Sequence, residues 1–312
     1  MQVSIVICTH NRKKYLKNAI ESVIHQTINK DAYEIIIVDN ASSDGTDHLI
    51  RSYFSNKFNV MYFYESKVGL SAARNRGLKE AKGKYVAFLD DDAIAAPDWL
   101  EKIVENFETV KPMPGCIGGK VEPIWESERP KWLSCKMLST LTILDLSEEP
   151  LFLTDKKKCI VGTNMAFPKY ILDRLGGFKV NLGRKGNKLL SNEENLLRQN
   201  LVDKGYSIFY NPEIIVKHHI PAERLTKKWF YKRMFWQGIS NVIMEKGKDS
   251  LFRNKVSILL KAILIILCSP ILLLAFFLIP SNFSILFAIK CHIIIPLGYI
   301  YGLLFFKQLI IS

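Results

Sequence analysis

Residues 3–24 read VSIVICTHNRKKYLKNAIESVI, and this short stretch combines the pattern of a β-strand with that of a helix. Residues 3–8 form an apolar run rich in β-branched side chains, and polar residues follow it up to Arg12. After this loop, apolar side chains recur from Tyr15 to Ile24 at the spacing of an amphipathic helix. The stretch therefore predicts a strand, a loop and a helix in that order.

The same unit recurs along the first third of the chain. Residues 34–38, 60–64 and 85–89 have the composition of buried strands, and a helix is predicted over 71–81. Hydrophobic strands that alternate with helices indicate a mostly parallel sheet with helices on both faces. The predicted fold class is α/β.

The following part of the chain is less regular. Four prolines occur between residues 112 and 130, three before Trp125 and one between Trp125 and Trp132, and a strand-like segment follows at 159–161. Three more helices are predicted, over residues 169–175, 192–204 and 226–245.

Apolar residues are concentrated near the C-terminus of the 312-residue chain. Residues 262–279 carry no charge, and in 283–306 only Lys290 and His292 interrupt the apolar run. Each segment is long enough to cross ~30 Å of hydrocarbon, so residues 256–312 are predicted to form a transmembrane hairpin. A buried core hairpin and a re-entrant pair remain alternatives.

The charge balance is strongly basic, with 43 Lys and Arg against 30 Asp and Glu, a net charge of +13. The excess lies mainly between residues 224 and 261, beside the apolar segments. This placement favours attraction to anionic lipids rather than to nucleic acid. We therefore predict the inner (cytoplasmic) membrane as the location, with the first 250 or so residues in the cytosol.

Three carboxylates follow one of the predicted strands, at Asp90, Asp91 and Asp92. Adjacent like charges need neutralisation, and hard oxygen ligands suit Mg²⁺ or Mn²⁺. A solvated acidic turn is the alternative. The loop after the first strand contains no glycine, and no P-loop motif occurs in the chain, which disfavours a dinucleotide-binding oxidoreductase and a P-loop kinase.

Four segments, in order, resemble the nucleotide-sugar half of family 2 glycosyltransferases: ICTHNR at 7–12, VDNASSDGT at 38–46, GLSAARN at 69–75 and FLDDD at 88–92. The resemblance implies a GT-A fold in which Asp90 and Asp92 form an Asp-x-Asp motif and Asp92 contacts Mn²⁺ or Mg²⁺. It also implies a nucleotide-sugar-binding set consisting of Thr9, Asn11, Arg12, Asp39, Arg74, Asp90 and Asp91.

The resemblance continues in GTNMAF at 162–167, LGGF at 175–178 and NEENLL at 192–197. Family members often have Glu-Asp where this chain has Glu193-Glu194, and the second acid is usually the catalytic base. The resemblance thus implies Glu194 as base and Glu193 as the residue that holds the acceptor. It also makes His218 a candidate metal ligand, and Trp125, Trp132 and Trp236 are candidates to stack on a sugar.

The function implied is transfer of a sugar, with inversion, from a nucleoside-diphosphate sugar to a hydroxyl of a lipid-linked or growing saccharide. A UDP-sugar is favoured as donor, and the type is that of membrane-anchored bacterial polysaccharide biosynthesis. A membrane-associated nucleotidyltransferase and a non-enzymatic membrane scaffold are the alternatives. The predicted division is a nucleotide-sugar half at 1–110, an acceptor and catalytic half at 111–250 and the hairpin at 256–312.

Overall fold

The structure is a computed structural model of the chain. It describes residues 1–55, 57, 59–154, 159–246, 260, 263–264, 267–268, 270–271, 274–280, 284–306 and 309.

The described residues form strands and helices in an alternating order. The strands are β1 (Val3–Thr9), β2 (Tyr33–Asp39), β3 (Val60–Tyr64), β4 (Tyr85–Asp90), β5 (Ala93–Ala95), β6 (Cys116–Trp125), β7 (Leu151–Phe152), β8 (Met165–Pro168) and β9 (Ile208–Ile220). The helices are α1 (Lys13–Ile24), α2 (Thr46–Phe54), α3 (Leu70–Glu80), α4 (Trp99–Thr109), α5 (Lys169–Leu175), α6 (Glu193–Asp203), α7 (Lys227–Lys246) and α8 (Ser284–Leu304). Short 3₁₀ helices lie at Lys30–Ala32, Cys135–Leu141 and Ala222–Leu225.

The strands join in one mixed sheet, in the order β3-β2-β1-β4-β8-β6-β9-β5, with β7 paired to β9. β1, β2, β3 and β4 are parallel, as the alternation of strands and helices predicts. The expectation of a mostly parallel sheet is wrong beyond β4, because β8 runs antiparallel to β4 and the later strands also pair antiparallel. These antiparallel pairs join strands that are distant in sequence, such as Tyr85–Asp90 with Met165–Pro168 and Ala93–Ala95 with Ile208–Ile220, so no local turn indicates the direction of pairing.

Both faces of the parallel part are covered by helices. Along β1, Ile5 and Ile7 face one apolar core with α1 and α4, whereas Val6 faces a second core with α3. All three side chains are at most 1% exposed. The predicted arrangement of helices on both faces is therefore confirmed, and burial on two sides explains why these strands are apolar at successive positions.

Most predicted elements match the structure to within a residue or two, including the helices α5, α6 and α7. The strand predicted at 159–161 is wrong. These residues lie outside every strand, and the β-structure of that region begins at Met165. Ile160 is nevertheless buried in the core beside α3, which explains why the short apolar run has a strand-like composition.

The chain forms two compact units that are interleaved along the sequence. Unit 1 comprises Met1–Ile124, Thr142–Val180 and Glu194–His219, and contains most of the sheet. Unit 2 comprises Trp125–Leu141, Asn181–Glu193 and Ile220–Ser312. These units reflect packing, whereas the predicted halves at 1–110 and 111–250 concern function, so that division stays a prediction.

Unit 2 is built on the helices α7 and α8. Trp132 packs edge-on against Phe230 and Phe287, with ring centroids 5.3 and 4.5 Å away. Trp132 is half-buried in this aromatic cluster, and its role in stacking on a sugar stays a prediction. Gly238 and Gly298 lie where the two helices come closest, and an added Cβ on Gly298 would meet the backbone of Phe235.

Among the described residues, one helix, Ser284–Leu304, is long and apolar enough to cross a membrane. It coincides with the second apolar segment of the sequence. Part of the first segment, 262–279, lies outside the described residues, although residues 274–278 are helical and Phe277 is 77% exposed. The transmembrane hairpin stays a prediction.

Candidate active site

The predicted site residues come from loops at the carboxyl ends of the parallel strands. In the sheet register, Cys8 at the end of β1 pairs with Asp90 of β4, and Thr9 pairs with Asp39 of β2. Ligands of open α/β sheets bind beyond these strand ends. The register alone therefore brings three of the predicted loops to one edge of unit 1.

A cluster of possible metal ligands lies at this edge. Asp90, Asp92 and His218 each offer a ligand atom, and these atoms lie within 4.8 Å of one another. His218 arrives through the antiparallel pairing of β9 with β5, in which it is opposite Ala93. Its Nε2 is 3.1 Å from Oδ1 of Asp92, and both side chains are at most 2% exposed.

Arg12 partly neutralises this acidic cluster. Its guanidinium lies 3.3 Å from Oδ1 of Asp91 and also pairs with Asp92. Burial raises the pKa of Asp91 to about 6, against the opposing charge of Arg12 and with added repulsion from Asp92. Thr9 is buried beside the same carboxylate. Burial also raises the pKa of Asp90, although Arg74 opposes the shift.

The donor atoms of the cluster fit a divalent cation. Two carboxylates and one imidazole are a ligand set that Mn²⁺ accepts more readily than Mg²⁺ does. Carboxylates so close together are costly without a counter-charge when they are wholly or partly buried, and the raised pKa values of Asp90 and Asp91 express that cost. Asp90, Asp92 and His218 are therefore the residues that would hold the cation.

Arg74 connects the acidic cluster to the predicted base. It is 2% exposed, and its Nη2 lies 3.5 Å from Oδ1 of Asp90 while its Nη1 lies 3.2 Å from Oε1 of Glu194. Gly162 lies directly against this pair, because an added Cβ there would meet both Glu194 and Arg74. Glu193 begins α6 and is 4% exposed.

Asp39 and Asn11 take part in a different set of contacts. Asp39 accepts hydrogen bonds from the backbone N–H of Ser42 and from the hydroxyl of Tyr62, both at 2.9 Å. Asn11, with a positive φ of 53°, accepts a hydrogen bond from the backbone N–H of Ser43. The two residues thus fasten the loop that follows β2, and Asn11 contacts none of the three carboxylates at 90–92 in the described structure.

Three asparagines within the quoted motifs proved to have structural partners that the sequence did not reveal. Asn40 accepts a hydrogen bond from the N–H of Gly69. The side chain of Asn75 donates to the carbonyl of Phe178 and accepts from its N–H. Asn164 accepts a hydrogen bond from the indole N–H of Trp99 at 2.9 Å. Each bond joins segments distant in sequence, so no local pattern signals it.

Comparison with known proteins agrees with this architecture. The sequence model of Glycosyl transferase family 2 matches residues 4–176. The glucosyl-dolichyl phosphate glucuronosyltransferase of Haloferax volcanii is 28% identical over 250 residues, which is 78% of this chain and 78% of that protein.

Two solved structures share the fold. One is the mannosyltransferase PcManGT of Pyrobaculum calidifontis in complex with GDP-Man and Mn²⁺. The superposition covers 98% of this chain and 74% of that chain, with a TM-score of 0.59 and 17% sequence identity. TarS 1–349 of S. aureus, in complex with UDP-GlcNAc, matches 97% of this chain and 92% of its own, with a TM-score of 0.56 and 16% identity.

These likenesses confirm the GT-A-like fold predicted from the four segments, and with it the prediction of a nucleotide-sugar-dependent glycosyltransferase. They favour sugar transfer over the nucleotidyltransferase and scaffold alternatives. The family match covers more than half of the chain and includes β1, β4 and the acidic residues that follow β4. The chain belongs to glycosyl transferase family 2.

Proposed function

We propose that the chain transfers a sugar from a nucleoside-diphosphate sugar to a hydroxyl of a lipid-linked or growing saccharide, with inversion and with dependence on a divalent cation. The observation that carries this proposal is the proximity of a possible cation site to the predicted base. Ligand atoms of His218, Asp92 and Asp90 lie within 4.8 Å of one another, and Arg74 lies 3.5 Å from Asp90 and 3.2 Å from Glu194. A cation-binding end and a carboxylate base are the two parts that such a reaction requires.

In this reaction Glu194 takes the proton from the acceptor hydroxyl while the oxygen of that hydroxyl attacks the anomeric carbon of the donor sugar. The bond from that carbon to the diphosphate breaks, and the nucleoside diphosphate leaves with the bonding electrons. One displacement on one face of the sugar gives inversion. The carboxylate of Glu194 is 24% exposed, so an acceptor can reach it.

The divalent cation, when bound, supplies a Lewis acid that neutralises charge on the departing diphosphate. The protein residues prepare the site for it. Asp90, Asp92 and His218 provide the ligand atoms, and Arg12 holds Asp91 and Asp92 in position. We assign Thr9, Asn11, Asp39 and Arg74 to the nucleotide pocket, following the family resemblance.

The names of similar proteins support the substrate classes. Two structural neighbours are complexes with GDP-Man and with UDP-GlcNAc, both nucleoside-diphosphate sugars. The name of the Haloferax volcanii relative includes glucosyl-dolichyl phosphate, a sugar on a polyprenyl phosphate. We propose a UDP-sugar as the donor. The apolar α8 and the basic residues before it support a site of action at the cytosolic face of the inner membrane.

Binding of a donor panel tests the proposal most directly. UDP-, GDP- and dTDP-sugars are titrated by calorimetry into full-length protein with and without Mn²⁺, and transfer to membrane lipid extracts is followed with radiolabelled donor. We expect one nucleotide class to bind only with the cation and the label to enter the lipid fraction. Donor binding that EDTA leaves unchanged contradicts the metal dependence.

A further inference from the structure

A groove in unit 2 combines a basic end with an aromatic wall. It has a volume of about 430 Å³. The basic end consists of Lys188 and Lys232, and the wall includes Phe235, Trp236, Tyr301 and Phe305. The described residues that line it include no aspartate or glutamate, so the groove favours an anion at one end.

The aromatic wall is continuous across two helices. The ring of Tyr301 lies 5.4 Å from that of Phe235 on α7 and 4.6 Å from that of Phe305. Gly238 and Gly298 allow α7 and α8 to pack closely, because a Cβ on either glycine would meet the backbone of the other helix. The rings of Phe235 and Tyr301 can therefore come into contact. Tyr301 on α8 is 41% exposed and Phe305, directly after α8, is 39% exposed, which leaves apolar surface available at the C-terminal end of this helix.

The loop that carries Lys188 is tied to the wall. The side chain of Ser191 hydrogen-bonds Gln237 at 3.1 Å, and that of Asn192 hydrogen-bonds Asn241 at 2.9 Å. The backbone N–H of Ser191 donates to the buried hydroxyl of Ser240. Lys188 is therefore held near α7 by contacts beyond the groove itself.

The electrostatics of the groove favour an anionic group. Burial lowers the pKa of Lys188, and the nearby charge of Lys185 lowers it further. An anion beside these ammonium groups relieves both effects. Inorganic phosphate would leave the aromatic wall without an apolar partner, and a neutral lipid would leave the two lysines without an anionic one. The ligand that complements both is an amphiphile with a phosphate head.

The chain leads directly from this loop to the predicted base, because α6 begins with Glu193 and Glu194. We infer that the groove binds the phosphate and the first isoprenoid units of a polyprenyl-phosphate-linked acceptor. The phosphate contacts Lys188 and Lys232. The isoprenoid units contact Phe235, Tyr301 and Trp236. This inference rests on the proposed function and specifies its acceptor.

Photolabelling of full-length protein in phosphatidylcholine nanodiscs tests the inference. The probe is farnesyl phosphate that carries a benzophenone, and the competitors are farnesyl phosphate, farnesol, inorganic phosphate and dioleoyl phosphatidic acid. We expect labelled peptides from α7 and α8, with competition by farnesyl phosphate alone. The double variant Lys188→Gln/Lys232→Gln should label about tenfold less, as expected for loss of charge-assisted bonds to phosphate.

Two control variants make the result specific. Lys188→Arg/Lys232→Arg retains the charge and should restore labelling. Lys136→Gln removes a lysine from a separate, more apolar groove of about 820 Å³ and should leave labelling unchanged. Unchanged labelling of the double glutamine variant, equal loss in Lys136→Gln, or equal competition by phosphatidic acid overturns the inference.

Donor binding, measured on the same nanodiscs, separates this inference from the proposed function. Nucleotide-sugar binding without labelling of the groove overturns the inference alone. Labelling of the groove without nucleotide-sugar binding supports the lipid site and overturns the proposed transferase function.

Discussion

The guanidinium of Arg74 lies 3.2 Å from the carboxylate of Glu194, although the two residues are 120 positions apart. The same guanidinium reaches Asp90 at 3.5 Å, so one buried cation contacts both the predicted base and the cation-binding cluster. Because Arg74 is 2% exposed, it has little freedom to move away from either carboxylate. This arrangement suggests that it positions Glu194 for the reaction.

The first prediction concerns Arg74→Lys. Lysine keeps the charge but cannot span two carboxylates with a planar fork, so we expect kcat to fall roughly 10²-fold while the protein stays folded. Steady-state transfer and calorimetric donor titration provide the measurements. Arg76→Lys is the matched control, because Arg76 on the same helix pairs with Glu80 at 2.8 Å and donates to the carbonyl of Tyr64 at 3.3 Å, and neither partner belongs to the predicted site. Because Arg74 is also assigned to the nucleotide pocket, donor affinity should fall as well. An unchanged kcat would contradict the positioning role.

The second prediction concerns Asp92→Asn, which preserves the volume of the side chain and removes its charge. We expect transfer to fall by about 10²-fold or more, because the variant loses a ligand of the cation that stabilises the departing diphosphate. Mn²⁺ affinity, measured by electron paramagnetic resonance with the nucleotide present, should fall in parallel. Wild-type rates in the variant, or full activity of the native protein in EDTA, would exclude this role.

The third prediction concerns Gly162→Ala. A methyl group there would meet Arg74 and Glu194, so it should displace the base and reduce transfer at least about tenfold with little change in melting temperature. Gly77→Ala is the contrasting variant, because its methyl group would meet Val6 in the core. That substitution should cost about 1–3 kcal/mol of stability instead. Equal melting temperatures for both variants would contradict the distinction.

The sequence predicted the parallel half of the fold because each strand and helix there has its own periodic pattern. It also placed Asp90 and Asp92 correctly at a strand end. The family resemblance, rather than a local pattern, made His218 a candidate metal ligand beside Asp92. The 3.1 Å contact itself depends on the antiparallel pairing of β9 with β5. Arg74 and Glu194 likewise meet only through the tertiary fold. Long-range antiparallel pairing leaves no local signal, which also explains the wrong parallel assignment beyond β4.

The last prediction separates the two acids at the start of α6. Glu194→Gln should bind nucleotide-sugar and cation normally, yet transfer should fall about 10²–10⁴-fold because no base takes the acceptor proton. Glu193→Gln should mainly raise the KM for the acceptor, as expected for a residue that binds ground state and transition state alike. Steady-state kinetics with calorimetric donor binding measures both effects. A catalytically dead Glu193→Gln beside a Glu194→Gln that is only weaker for acceptor would reverse the assignment.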